Sequence, residues 1–155
     1  MFKKIYLLIF ITFFLSHCGF TPLYSNKTNN NFSIVDLTMK GDRTINSYIK
    51  INLYQLLNNN NEKQFIINVD TKYNKVVLSK DKTAKITEYE LTSTSIFEVS
   101  SKDKFIKKIT ISEKKNMNNI EDKFEEQKEE RIAKQNFAST TSRKLITELE
   151  ILNDY

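Results

Sequence analysis

Three segments in the middle of the chain alternate apolar and polar residues with a period of two. Successive side chains of a β-strand point to opposite faces, so this period predicts strands with one buried face. Polar connectors at residues 80–83 and 100–103 separate the segments and suit hairpin turns. The pattern therefore predicts a three-stranded meander. Its predicted inner face comprises Phe65, Ile67, Val69, Thr71, Tyr73, Tyr89, Leu91, Ser93, Ser95, Phe97, Val99, Phe105, Ile109 and Ile111.

A helical spacing precedes the meander. Residues 43–57 carry apolar side chains three or four positions apart, which places them on one face of a helix. Asp42 is suited to cap the amino terminus, because its carboxylate accepts a hydrogen bond from a free amide of the first turn. The asparagines of 58–61 are suited to end the helix. Residues 32–37 read as a short strand ahead of it.

A second helix is predicted over residues 121–152, a stretch rich in helix formers and free of glycine and proline. We expect its buried stripe to run along Phe124, Ala133, Phe137, Thr141, Leu145, Leu149 and Leu152. Residues 125–131 contain no apolar side chain, which predicts a solvated helix surface or a frayed segment.

The order β-α-β-β-β-α predicts an α+β fold of two layers. We expect a four-stranded, mainly antiparallel sheet covered on one face by two helices. One domain over residues 32–155 fits the chain length of 155 residues.

The amino terminus has the pattern of an export signal. Lys3 and Lys4 precede an apolar run over residues 5–15, which is shorter than the ~20 residues of a membrane-spanning helix. We expect residues 1–17 to be a leader and residues 18–31 to be a polar tether.

Residues 15–18, Leu-Ser-His-Cys, resemble the lipobox of bacterial lipoproteins, with His17 where a small residue is usual. This resemblance implies that Cys18 carries the fatty acids of a membrane anchor, since several acyl chains on one residue give stable attachment. Two other interpretations are a secreted protein with a free thiol and an uncleaved leader that serves as the anchor.

The chemistry available after the leader is narrow. The only histidine is His17 and the only cysteine is Cys18, so no histidine-dependent catalytic set and no metal cluster is expected. Glu88 and Glu90 share one strand face, where a solvated surface is favoured over an acid pair. We expect no catalytic residue, no metal and no cofactor, and a protein that is not an enzyme.

The charge of the chain argues against nucleic acid as a partner. The formal charge is +5, and removal of Lys3 and Lys4 with the leader leaves +3. Lysines and acids are interspersed, so no focused positive field is expected.

Residues 18–24, Cys-Gly-Phe-Thr-Pro-Leu-Tyr, look like the start of the mature lipopolysaccharide-assembly lipoproteins (LptE type) of alphaproteobacteria. Residues 84–91 fall where that family has a strand of the form A-x-R-Y-x-L, with Thr87 in place of the basic residue, and residues 124–149 resemble its closing helix. The resemblance implies the same α+β architecture. It also implies a lipid-anchored position at the periplasmic face of the outer membrane.

The resemblance implies a partner as well. It is the outer-membrane β-barrel that inserts lipopolysaccharide, for which this chain would act as plug and assembly factor. The alternative is another periplasmic lipoprotein that serves as an envelope-tethering or ligand-binding module.

Two lysine clusters are the candidate binding groups. Lys80, Lys82 and Lys85 lie around the first hairpin connection and are the first candidates for the phosphate groups of lipopolysaccharide. A second cluster, at 102–108, surrounds the next connection. The other interpretation is that these lysines keep turns soluble and protect strand edges.

Overall fold

The computed structural model describes residues 31–57, 61–102 and 104–153. The predicted leader, Cys18 and almost all of the predicted tether lie outside the described residues, as do residues 58–60 of the predicted helix end. The elements are β1 (Phe32–Gly41), α1 (Arg43–Asn52), α2 (Tyr54–Leu57), β2 (Lys63–Lys80), β3 (Ile86–Ser101), β4 (Lys104–Asn118) and α3 (Lys123–Asn153).

The four strands form one sheet in the order β1-β2-β3-β4. β1 and β2 run parallel, because a helical crossover connects them, and the other neighbours are antiparallel. The predicted α+β class and the order of elements are confirmed. β1 is longer than predicted and pairs with β2 from Phe32 to Gly41, with a bulge at Val35.

The crossover from β1 into α1 depends on local backbone chemistry. The Asp42 carboxylate accepts a hydrogen bond from the amide of Ile45 at 2.9 Å, so the predicted cap is confirmed. Asn46 donates its side-chain amide to the carbonyl of Lys40 at 2.8 Å and ties the first turn to the strand before it. α1 then stops at Leu53, and α2 adds a single turn, so the helix predicted over 43–57 is interrupted.

The helices cover one face of the sheet, which we call the inner face. α1 and α3 pack against each other and against the strands. The core contains side chains from the helices and from all four strands. Of the residues described, no helix combines the length and apolarity needed to cross a bilayer. The core comprises Phe32, Ile34, Ile45, Ile49, Leu53, Leu56, Phe65, Ile67, Val69, Phe97, Val99, Ile109, Ile111, Ala138, Leu145 and Leu149.

The predicted inner face of β2 and β3 is confirmed, but one member of β4 was assigned wrongly. Phe105 is 58% exposed. The pairing shifts between Val99 and Ser100, so that Ser100 faces Phe105 while Val99 faces Lys107. This irregularity leaves Ile106 as an extra residue and turns Phe105 to the outer face. A strict period of two could not anticipate the change.

α3 differs from its prediction in its first turns. Phe124 is 72% exposed and does not belong to the buried stripe. Residues 125–131 form regular helix, and Glu126 within them is buried rather than solvated. Glu126 can be buried because its carboxylate pairs with lysines, which are described below.

The two ends of the sheet are chemically distinct. The proximal end is where β1 and β2 start side by side. There the Lys63 ammonium donates hydrogen bonds to the carbonyls of Leu152 and Asn153, at the end of α3, at 2.5 and 2.8 Å. At the distal end lie the β2–β3 hairpin and the start of α3. β2 has 18 residues, so the ends are separated by ~56 Å at about 3.3 Å per residue.

Gly41 is predicted to be required at the turn from β1 into α1. Its φ is +94°, and a Cβ there would lie 1.9 Å from the carbonyl oxygen of Thr71. We expect Gly41→Ala to lower the free energy of unfolding by ~1–3 kcal/mol through strain alone. Urea denaturation followed by circular dichroism measures the effect.

The control for this substitution is Ser47→Ala, at an exposed position of α1, which should change the free energy of unfolding by less than ~0.5 kcal/mol. Equal urea midpoints for the two variants would contradict the assignment of Gly41.

Candidate functional site

The distal hairpin is built around the carboxylate of Asp81. Its Oδ1 accepts hydrogen bonds from the amide and hydroxyl of Thr83, at 2.8 and 2.7 Å, and from the amide of Lys85 at 3.0 Å. These bonds, led by the Thr83 hydroxyl, lower the pKa of Asp81. Ala84 takes a φ of +63°, which closes the turn without glycine. Asp-x-Thr is a familiar turn sequence and could have identified Asp81 beforehand.

The structure brings Lys80, Lys82 and Lys85 to the same hairpin but gives them different surroundings. Lys85 forms an ion pair with Glu121 at 2.5 Å, and this contact raises the pKa of Lys85. Lys80 and Lys82 are exposed, and neither forms an ion pair within the described part of the chain. The two lysines therefore offer uncompensated ammonium groups, while Lys85 links the hairpin to the segment before α3.

Apolar side chains accompany these ammonium groups. Val76, Val77 and Leu78 of β2 are about half exposed. β1 pairs with β2 only as far as Thr71, so the edge of β2 beyond that residue has no neighbouring strand among the described residues. The distal half of β2 thus combines a free strand edge, apolar side chains and lysines, which suits a ligand or partner with both anionic and apolar parts.

A network of charged groups lies between the sheet and α3, and the sequence did not reveal it. The Lys75 ammonium donates to Glu126 at 2.5 Å and to Glu130 at 3.0 Å. Lys123 also donates to Glu126, at 2.5 Å. Lysine pairing on both sides explains how a carboxylate can be buried here.

Lys134 extends this network to α1. Its ammonium lies 2.9 Å from the carboxylate of Asp42, the cap of α1, and 3.9 Å from the centre of the Tyr73 ring. One side chain of α3 therefore contacts both α1 and β2 through charge and cation–π attraction. The partners are distant in sequence, so only the fold brings them together.

The electrostatics favour the charged forms of Glu126 and Lys75. Hydrogen bonds from Lys123 and Lys75 lower the pKa of Glu126. Burial alone would lower the pKa of Lys75, but hydrogen bonds to Glu126 and Glu130 outweigh it and raise that pKa. Burial, with the nearby negative charge of Glu130, raises the pKa of Tyr73, so its hydroxyl stays neutral. Fully paired charges of this kind are typical of a structural network.

The remaining sequence-derived candidates lie on the surface. Glu90 is on the outer face of β3, where its partly buried carboxylate forms an ion pair with Lys114 rather than a pair of acids with Glu88. Among the described residues, no group of three or more histidine, cysteine or acidic side chains is placed to hold a metal ion. Cys18 lies outside the described residues.

Comparisons with known proteins identify the fold. No protein-family model and no curated protein sequence matches the chain. Among solved structures, the chain is similar to rare lipoprotein B from Shewanella oneidensis, with 13% identity over 77% of this chain and 99% of that chain and a TM-score of 0.58. A minor lipoprotein from Acinetobacter baumannii has 17% identity over 73% of this chain and 91% of that one, with a TM-score of 0.53. At these identities, the likeness establishes a shared fold.

Lys134 is predicted to stabilise the packing of α3. Its side chain is 16% exposed, so Lys134→Ala leaves the carboxylate of Asp42 partly buried without its partner. We expect a loss of about 1.5–3 kcal/mol in the free energy of unfolding, measured by urea denaturation.

Lys128→Ala is the matched control on the same helix. Lys128 pairs with Glu125, and both side chains are nearly half exposed, so its removal should cost less than ~1 kcal/mol. A loss at Lys134 no larger than that at Lys128 would show that the network does not stabilise the domain.

Proposed function

We propose that this chain is an outer-membrane lipoprotein, anchored through acylated Cys18 and facing the periplasm. It partners the β-barrel that inserts lipopolysaccharide, acting as its plug and assembly factor. It carries out no covalent chemistry. The domain fills space, supports the barrel and offers lysines to the phosphate groups of lipopolysaccharide.

Two kinds of observation support the assignment to this class of lipoprotein. The leader and the Cys-Gly-Phe-Thr-Pro-Leu-Tyr string of residues 18–24 resemble the LptE-type assembly lipoproteins. The fold is shared with solved structures of bacterial lipoproteins, one of which, rare lipoprotein B, is covered over 99% of its length.

The position of the distal lysines is the observation that carries the proposal. Lys80 and Lys82 lie ~56 Å from the proximal end, where the segment that follows Cys18 joins the domain at Phe32. A domain attached at one end and equipped with free ammonium groups at the other can meet an anionic glycolipid at a distance from its own anchor. Exposed Val77 and Leu78 beside these lysines suit the apolar part of such a ligand.

The first test is isolation of the tagged protein from outer membranes in mild detergent, with mass spectrometry of the partners and of the processed amino terminus. We expect a large β-barrel protein to co-elute and Cys18 to carry acyl chains. Unmodified Cys18 or the absence of a barrel protein would contradict the proposal. Retention on isolated cell-wall sacculi would favour the envelope-tethering alternative.

The second test concerns the distal lysines. Lys80→Ser with Lys82→Ser should weaken binding to vesicles that contain lipopolysaccharide by roughly tenfold for each lysine, because a hydrogen bond to a charged group contributes about 1.5 kcal/mol. The binding that remains should depend less on salt.

Two variants make the lysine test specific. Lys40→Ser with Lys50→Ser removes the same charge at exposed positions away from the distal hairpin and should leave lipopolysaccharide binding near that of the unaltered protein. Glu121→Gln releases Lys85 from its ion pair and should strengthen binding. Equal effects of the two double variants would rule out a site at the distal hairpin.

A further inference from the structure

The proximal end has an exposed apolar patch on the outer face of the sheet. Val35 is 52% exposed and Phe105 is 58% exposed. Phe105 faces Ser100, which in turn faces Ile66, and residues directly opposite one another share a face of the sheet. Ile106, the extra residue of the β4 irregularity, is also exposed. We call Val35, Ile66, Phe105 and Ile106 the proximal patch.

Cationic groups border the proximal patch. Lys102 and Lys104 at the β3–β4 hairpin are exposed, and neither forms an ion pair within the described residues. By contrast, Lys107 and Lys108 on the same hairpin pair with Glu148 and Glu98, at 2.7 and 3.4 Å. Exposed Glu62 is the acidic side chain in the shallow groove that Val35, Ile66 and Lys102 also line. The hairpin therefore combines apolar side chains with two ammonium groups that have no ion pair among the described residues.

The covalent structure places this patch near the proposed anchor. Phe32 follows Cys18 by fourteen residues, which span at most about 50 Å when fully extended. The distal hairpin lies ~56 Å along β2 from that attachment point, so it can stand far from the anchoring membrane. The proximal end always stays within the length of the connection, because β1 starts there.

We propose that the proximal patch lies on the surface of the membrane that holds Cys18. Phe105, Ile106 and Val35 would enter the boundary between headgroups and acyl chains, and Lys102 and Lys104 would contact anionic phospholipid headgroups. This inference rests on the proposed lipid anchor and adds a second contact that fixes the orientation of the domain. An exposed apolar patch bordered by lysines is suited to contact with a lipid surface, which offers acyl chains to the apolar groups and anionic headgroups to the lysines.

The chain allows a direct test in which a lipid coupled chemically to Cys18 replaces the acyl chains. Cys18 is the only cysteine and the chain has no tryptophan, so a maleimide lipid couples at one site and one introduced tryptophan reports its own surroundings. The mature chain, residues 18–155, would be coupled to phosphatidylcholine vesicles with or without phosphatidylglycerol. The reporter is Phe105→Trp, and the matched control is Phe124→Trp at the distal end, where the aromatic ring is also exposed.

On coupled vesicles that contain phosphatidylglycerol, we expect the emission of tryptophan at position 105 to shift to shorter wavelength and to be quenched by brominated lipid. Tryptophan at position 124 should keep the emission of the uncoupled protein. Unchanged emission at position 105, or equal shifts at both positions, would overturn the proposal.

The lysines are tested in the background of the Phe105→Trp reporter. Lys102→Ser with Lys104→Ser should remove the part of the shift that depends on phosphatidylglycerol, whereas Lys80→Ser with Lys82→Ser should leave the shift unchanged. An equal loss in both double variants would overturn the assigned headgroup contact. Coupling bypasses cellular acylation and needs no barrel, so failure here is distinct from failure of the proposed function.

Discussion

The packing of α3 along the inner face of the sheet is the interaction on which the rest of the structure depends. α3 has 31 residues and a length of about 46 Å, so it follows the sheet from the distal end to the proximal end. Leu145 and Leu149 pack with α1, while Ala133 and Phe137 cover the distal half of the sheet. Because the inner face is filled in this way, the outer face of the sheet and the two hairpins remain available to a partner.

Apolar contacts alone would permit α3 to slide along the sheet, since they have little directional preference. The charged network supplies direction, because Lys134 must reach both Asp42 and Tyr73 while Lys75 reaches Glu126. Removal of one member leaves a partly buried charge unpaired, which is costly in any shifted arrangement. We interpret the network as the device that fixes the position of α3, with the apolar contacts as the main source of stability.

The sequence predicted most of the inner face because alternation and helical spacing report directly on burial. The prediction was wrong at Phe105 and Glu126, because the burial of these two residues does not follow from the period of two or from the helical spacing. A bulge turns Phe105 outward, and ion pairs with Lys75 of β2 and Lys123 of α3 allow Glu126 to be buried. For the candidate site, local order placed Lys80, Lys82 and Lys85 at one turn. The pairing of Lys85 with Glu121, 36 residues away, required the fold.

The attachment point and the candidate lysines lie at opposite ends of the sheet, which could be seen only from the fold. This arrangement constrains how the proposed function can operate. If the proposed proximal contact holds the sheet upright on the membrane, Lys80 and Lys82 stand ~56 Å from the leaflet that holds Cys18. In that orientation a glycolipid bound at the distal hairpin is separated from that leaflet. Under the proposed function, the proximal end serves attachment and the distal end serves the ligand, and the length of β2 keeps the two lipid contacts apart.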